Sequence, residues 1–156
     1  MSGNLLIPKL HHMGIQTRDL DNCLAWYKEF FGCTQAWSLD TFSDLTLSRL
    51  PGITRLTEIA VGDVRFHLFE RDGHTPELPG GNKTQFQHLC LSTGSPAELG
   101  AWRERWLRLY ESGRYAFATD EPPTDIVVDA DGVHSCYLFD VNGLEFEFTY
   151  VPEATA

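Results

Sequence analysis

No apolar run in the chain approaches the ~20 residues that a helix needs to cross a bilayer, so no membrane-spanning helix is expected. Met1 to Leu10 lacks a basic region followed by an apolar stretch; no signal peptide is expected, and the cytoplasm is the expected location. There is no Cys-x-x-Cys pair. The four cysteines, Cys23, Cys33, Cys90 and Cys136, are scattered, which argues against a zinc ribbon or a thioredoxin-type site and for buried thiols. Basic residues are scarce, with 12 Lys and Arg against 22 Asp and Glu and a formal charge of −10. Phosphate binding needs a basic stripe, so nucleic acid is not an expected partner. Apolar residues, by contrast, are plentiful: 42% of 156 residues, including ten Phe, five Tyr and four Trp. That is enough to fill the core of one domain over 1–156 and excludes a disordered chain.

Lys9 to Thr17 reads as a strand. Asp19 follows as an N-cap; Leu20, Cys23, Leu24, Tyr27, Phe30 and Phe31 then recur at helical spacing until Gly32 stops the helix. Ala36 to Leu50 reads as a strand and a connection. Leu56 to Phe69 reads as two strands around Gly62-Asp63, a two-residue hairpin turn. A Gly-, Pro- and Asn-rich linker at about 73–84 separates a first module, about 8–72, from a second, about 85–151. In the second, Gln87 to Thr93 reads as a strand and Ser95-Pro96-Ala97-Glu98 as a capping box with Pro at the first helical position. Leu99, Trp102, Trp106, Leu109 and Tyr110 form the stripe of that helix, and Gly113 follows it. Asp125 to Tyr150 holds two or three strands, with turns at Asp131-Gly132 and Val141-Asn142-Gly143.

The two halves repeat. His12 and His88 stand 76 positions apart, as do Ala25 and Ala101, and Trp26 and Trp102. The shared order of a strand with His, a helix with Ala-Trp and then strands points to two βαβββ modules. Neither half buries its sheet alone, so the expected fold is α+β, the modules together forming a curved mixed sheet around a cavity. The last strand of each half carries His67 and Glu147, and pseudo-twofold symmetry then directs four side chains, His12, His67, His88 and Glu147, to that cavity. One such His in a strand is more often a packing residue; the matched set favours a divalent first-row metal such as Zn, Fe, Mn, Co or Ni. If Gly62-Asp63 is a two-residue turn, Glu58 lies opposite His67 and shares its face. Tyr137 lies opposite Glu147 if the Val141-Asn142-Gly143 loop has three residues, and faces away if it has four. Strand alternation points His11 to the face opposite His12, as a surface or dimer contact. His74, in a polar loop, receives no role; His134 either lines the cavity mouth or is exposed.

Three stretches carry a resemblance to a known family. His12-Met13-Gly14-Ile15-Gln16-Thr17-Arg18-Asp19-Leu20-Asp21, Gln87-His88-Leu89-Cys90-Leu91-Ser92 and Phe139-Asp140-Val141-Asn142-Gly143-Leu144-Glu145-Phe146-Glu147 are similar to the module openings and ending of the vicinal oxygen chelate superfamily. That superfamily includes glyoxalase I, methylmalonyl-CoA epimerase, extradiol dioxygenases and fosfomycin-resistance proteins. The resemblance spans about Leu10 to Val151. Val141 replaces the usual Pro of the ending and leaves the spacing to Glu147 intact. The resemblance implies metal ligation by His12, His67, His88 and Glu147. His67 stands where glyoxalase I usually has Glu and the epimerase Gln.

The resemblance also places Glu58 where the epimerases carry a strand Glu, which makes it a candidate general base, in competition with a salt-bridged strand carboxylate. The expected function is therefore a metal-dependent isomerase or epimerase that takes a proton from the carbon beside a metal-bound carbonyl. Its substrate would be a hydroxy-ketone, a keto-sugar or cyclitol, or an acyl thioester. Tyr137 supports a rival, an Fe(II) dioxygenase of the extradiol type. Thiol transfer to an antibiotic epoxide ranks lower, since no Lys and Arg cluster suits a phosphonate. A metal-free drug-binding protein is the alternative outside enzymes. The expected partners are a small molecule and a second copy of the chain in a homodimer.

Overall fold

Each module is a mixed sheet whose first strand is held parallel to its last by a helical crossover. In the computed structural model, which describes residues 9–75, 77, 78 and 81–153, the first module runs β1 (Met13–Gln16), α1 (Leu20–Phe31), β2 (Thr34–Leu39), α2 (Asp44–Arg49), β3 (Ile53–Val61) and β4 (Val64–Arg71). The second runs β5 (His88–Ser92), α3 (Pro96–Glu111), β6 (Val127–Val128), β7 (His134–Phe139) and β8 (Glu145–Tyr150). The sheet orders are β1-β4-β3-β2 and β5-β8-β7-β6, so the α+β fold of two βαβββ modules expected from the repeat is the one observed. The limit of the first module at residue 8, and linker positions 76, 79 and 80, lie outside the described residues.

Local chemistry sets the element ends. Asp19 accepts a hydrogen bond from the Asn22 N–H and starts α1; Gly32, at φ 75°, ends it in the left-handed conformation that a residue with a Cβ resists. Ser95 accepts from the Glu98 N–H at 3.1 Å, and the Glu98 carboxylate reaches back to the Gly94 N–H at 2.6 Å, one residue beyond a standard capping box. Gly62, at φ 54°, turns β3 into β4 with Val61 opposite Val64. Two expectations change. The first strand begins at Met13, leaving His11 and His12 ahead of its ladder. The connection after β2 contains the six-residue helix α2, which buries none of its side chains and so leaves no apolar period to read.

The core is aromatic. α1 buries Leu20, Cys23, Trp26, Tyr27, Phe30 and Phe31, and these rings meet both modules: Tyr27 packs edge-on against Phe66 at 5.0 Å between centroids, and Phe31 against Phe146 at 5.4 Å. Hydrogen bonds also cross between modules: the Tyr27 hydroxyl donates to Asp140 Oδ2 at 2.6 Å, fully buried, and the Thr17 hydroxyl to Asn142 Oδ1 at 2.6 Å. Within the second module the Trp106 indole N–H donates to the Phe139 carbonyl at 2.6 Å. No helix of the described residues is long and apolar enough to cross a membrane.

Candidate metal centre and its surroundings

Sheet register aligns the candidate residues in two equivalent rows. In the first sheet Gly14 lies beside His67, Glu58 opposite His67, and Trp37 opposite Glu58. In the second, Cys90 lies beside Glu147 and Tyr137 opposite Glu147. Gly14 and Cys90 are themselves 76 positions apart, so the repeat in the sequence is a repeat of register: His67 corresponds to Glu147, and Glu58 to Tyr137. Directly opposed residues project from one face, which gives Glu58 and His67 a common side, and Tyr137 and Glu147 another.

The donors form two groups. His12 and His67 stack with centroids 3.7 Å apart and planes 8° from parallel. His11 Nδ1 lies 2.8 Å from His12 Nδ1, and each of the three imidazoles offers a nitrogen within 4.8 Å of the others. Among the described residues this is the one group of three or more His, Cys, Asp or Glu donors that close together. His67 Nε2 is 2.7 Å from Glu58 Oε2, the side chains being 14% and 8% exposed. In the second group, His88 Nε2 is 3.2 Å from Glu147 Oε2, and the Tyr137 ring stands edge-on to His88 at 5.5 Å. His88 Nδ1 contacts the Gln87 side-chain oxygen. The fold thus brings His12 to His67 and His88 to Glu147, and does not gather all four within 4.8 Å. The walls of one cavity of about 490 Å³ include both His12 and His88.

The charge states suit metal ligation. Partial desolvation, then the neighbouring His67 and His11, lowers the pKa of the exposed His12 and favours the neutral imidazole that binds metal. The hydrogen bond from His67 holds the Glu58 carboxyl below the usual carboxylate range, so it is ionised at neutral pH. Burial and the Glu147 carboxylate raise the Tyr137 phenol, which keeps its proton. The Cys90 thiol is pushed up to about 11 by partial burial and Glu147, which disqualifies it as a thiolate nucleophile near neutrality. Imidazole nitrogens with a carboxylate are a donor set that fits a divalent first-row cation.

His11 is the residue that alternation misplaced. Because β1 starts at Met13, residues 11 and 12 do not alternate across a sheet, and both rings turn toward His67. Doubled histidines before the first strand were the available signal. His134 is half-buried, with Nδ1 2.9 Å from the Gly132 carbonyl, and its ring lies against Tyr150.

The family model of the Glyoxalase/Bleomycin resistance protein/Dioxygenase superfamily matches residues 9–148. The chain belongs to this superfamily. Similar solved structures include a glyoxylase/bleomycin resistance protein/dioxygenase domain from Frankia sp. EAN1pec, with 17% identity, TM-score 0.73 and 96% of each chain covered. A lactoylglutathione lyase from Agrobacterium tumefaciens has 20% identity and TM-score 0.58 over 92% of this chain and 93% of that one. The fosfomycin resistance protein FosX from Listeria monocytogenes, complexed with Mn(II) and sulfate, has 16% identity and TM-score 0.58 over 95% and 96%. At these identities the likeness is one of fold. No curated protein matches the chain. Superfamily membership fixes the architecture, and its members include metal-dependent enzymes; the substrate has to be argued from the side chains.

Proposed function

We propose that this superfamily member is a divalent-metal-dependent isomerase or epimerase acting on a small oxygenated substrate such as a hydroxy-ketone, a keto-sugar or cyclitol, or an acyl thioester. The observation that carries the reading is the Glu58–His67 pair, an ionised carboxylate 2.7 Å from an imidazole that stacks on His12. His12 and His67 from one module, with His88 and Glu147 from the other, would hold the cation, and His11 stands within reach of the first pair. A bound cation would polarise a carbonyl and acidify the neighbouring C–H. Glu58 would take that proton and return it. Its Oε2 is engaged by His67, which leaves Oε1 for the transfer and fixes the carboxylate's orientation. The same hydrogen bond makes Glu58 a weak base, so it suits only a carbon acid already activated. Assembly as a homodimer belongs to this reading and rests on the family resemblance; a cytoplasmic location remains the expectation drawn from the sequence.

Incubating the metal-loaded protein in deuterated water with dihydroxyacetone or another substrate of these classes tests the proposal. Deuterium should enter at the carbon beside the carbonyl, and Glu58→Gln should slow its entry by roughly 10²–10⁴-fold, the usual worth of a positioned base. No exchange with any of these classes would remove the isomerase reading. The rival is favoured by Tyr137, a protonated phenol opposite Glu147 and against His88. An Fe(II) extradiol-type dioxygenase would consume oxygen with catechols after anaerobic iron loading, and would be inert with zinc.

A further inference from the structure

The first module gathers three imidazoles without help from the second. His11 and His12 stand ahead of β1, and His67 lies within β4. Each ring offers a nitrogen within 4.8 Å of the other two. Both exposed rings turn to His67, His12 stacked on it at 3.7 Å and His11 edge-on at 6.3 Å between centroids. The His88–Glu147 pair belongs to β5 and β8 and closes separately, at 3.2 Å. The four-residue set of the isomerase reading has to be assembled across the modules; the three imidazoles already share one place.

The contact between His11 and His12 is a shared proton. Their Nδ1 atoms face each other at 2.8 Å. A neutral imidazole carries one N–H and one lone pair, so one ring donates here and the other accepts. Two nitrogens bound at ~2.1 Å to one cation stand roughly 3.0–3.4 Å apart, close to the spacing these two atoms already have. A cation seated between them takes the place of the shared proton, which moves to Nε2 of the ring that held it.

His67 is prepared for the same ion. Its Nε2–H donates to Glu58 Oε2 at 2.7 Å, which fixes the tautomer and leaves Nδ1 as a bare lone pair. A carboxylate behind the ring is what commonly orients a metal-binding His. Stacked rings direct their lone pairs in parallel, so His12 has to tilt off His67 to share an ion with it. Exposed side chains make such rotations freely. Three imidazoles suit zinc, nickel or copper over manganese or magnesium, which prefer oxygen donors.

We propose that His11, His12 and His67 form a cation seat that the first module carries alone, with His11 as a ligand that the four-residue set lacks. This deepens the isomerase reading and rests on it for the part of His88 and Glu147, which tighten the hold on a cation already seated beside Glu58.

Zinc titration calorimetry of the metal-free protein tests the seat. The double variant His88→Ala/Glu147→Ala should still bind one zinc per chain, more weakly than the wild type. In either background His11→Ala should weaken binding by more than about tenfold, the least that loss of a partner behind a ligand costs. Imidazole ¹⁵N shifts of the double variant supply the second readout. One equivalent of zinc should move the rings of His11, His12 and His67 and leave those of His74 and His134 in place. If the wild type binds zinc and the double variant binds none, or if His11→Ala leaves the affinity unchanged, the seat is overturned and the four-residue reading stands. Shifts spread over His74 and His134 as well would show adventitious binding to surface histidines and overturn it too. If the double variant binds as tightly as the wild type and His11→Ala abolishes binding, the seat stands and the part given to His88 and Glu147 falls. If the wild type binds no zinc, both fall.

Discussion

Among single residues, Asp140 holds the densest buried hydrogen-bond network of the described chain, and it takes no part in the proposed chemistry. It is fully buried and accepts four hydrogen bonds, from the Tyr27 hydroxyl at 2.6 Å, the Leu144 N–H at 2.8 Å, and the Asn142 N–H and side-chain amide at 2.9 Å each. It thereby ties α1 to the β7–β8 loop and holds that loop at the length that sets Tyr137 opposite Glu147. Asp140→Ala would leave several buried donors unpaired and should cost about 3–5 kcal/mol, read from the urea midpoint at unchanged slope. Asp140→Asn keeps the shape but turns an NH₂ toward other donors, and should cost less. A loss under about 1 kcal/mol for the alanine variant would show that the network does not carry the loop. The sequence pointed to this Asp as part of an ending motif without saying what it holds. It gave Glu58 opposite His67 because a two-residue turn fixes register by counting. It left Tyr137 open because the loop length depends on Asp140, a long-range contact invisible to local pattern.

The elements most legible in the sequence were those with both a period and a cap. Asp19, Gly32 and the stripe of α1 lie where spacing predicts them, and so do Ser95 and α3. α2 was missed for want of a buried face. α1 also gives the protein a specific weakness in alkali. Burial pushes the Cys23 thiol up to about 12 and the Tyr27 phenol well above its ordinary value, and Cys33, just beyond the helix, is likewise pushed up to about 12. These groups keep their protons in the folded state after the unfolded chain has begun to lose them. The native state then binds more protons, and stability present below about pH 9 is lost as pH rises toward about 12. For Cys23, three units at ~1.4 kcal/mol each set a ceiling of about 4 kcal/mol. Urea midpoints between pH 8 and 11 under reducing conditions should fall, and Cys23→Ala should flatten the fall. An unchanged slope in that variant would assign the loss to other groups.

In the whole molecule, composition and the 76-residue repeat were enough to read two modules, because a duplicated fold repeats its register as well as its residues. How the modules close on one another was not legible, since it depends on contacts such as Tyr27 with Asp140 and Phe66 with Phe146, which no periodicity encodes. The modules of superfamily members can complete a metal site within a chain or between chains, and the proposed site is taken to lie within one chain. β1 and β5 of the same chain border one cavity, with His12 and His88 in its walls, and the hydrogen bonds of Tyr27 to Asp140 and of Thr17 to Asn142 tie the two modules together. A site built within one chain cannot be repaired by a neighbour. His12→Ala and Glu147→Ala should each lower zinc content measured by elemental analysis, and co-expressed in one cell they should stay low. If the site were shared between copies, a mixed dimer would contain one site made wholly of unaltered residues. Recovery of about half the zinc in mixed dimers isolated by two tags would therefore place the donors of different modules on different chains.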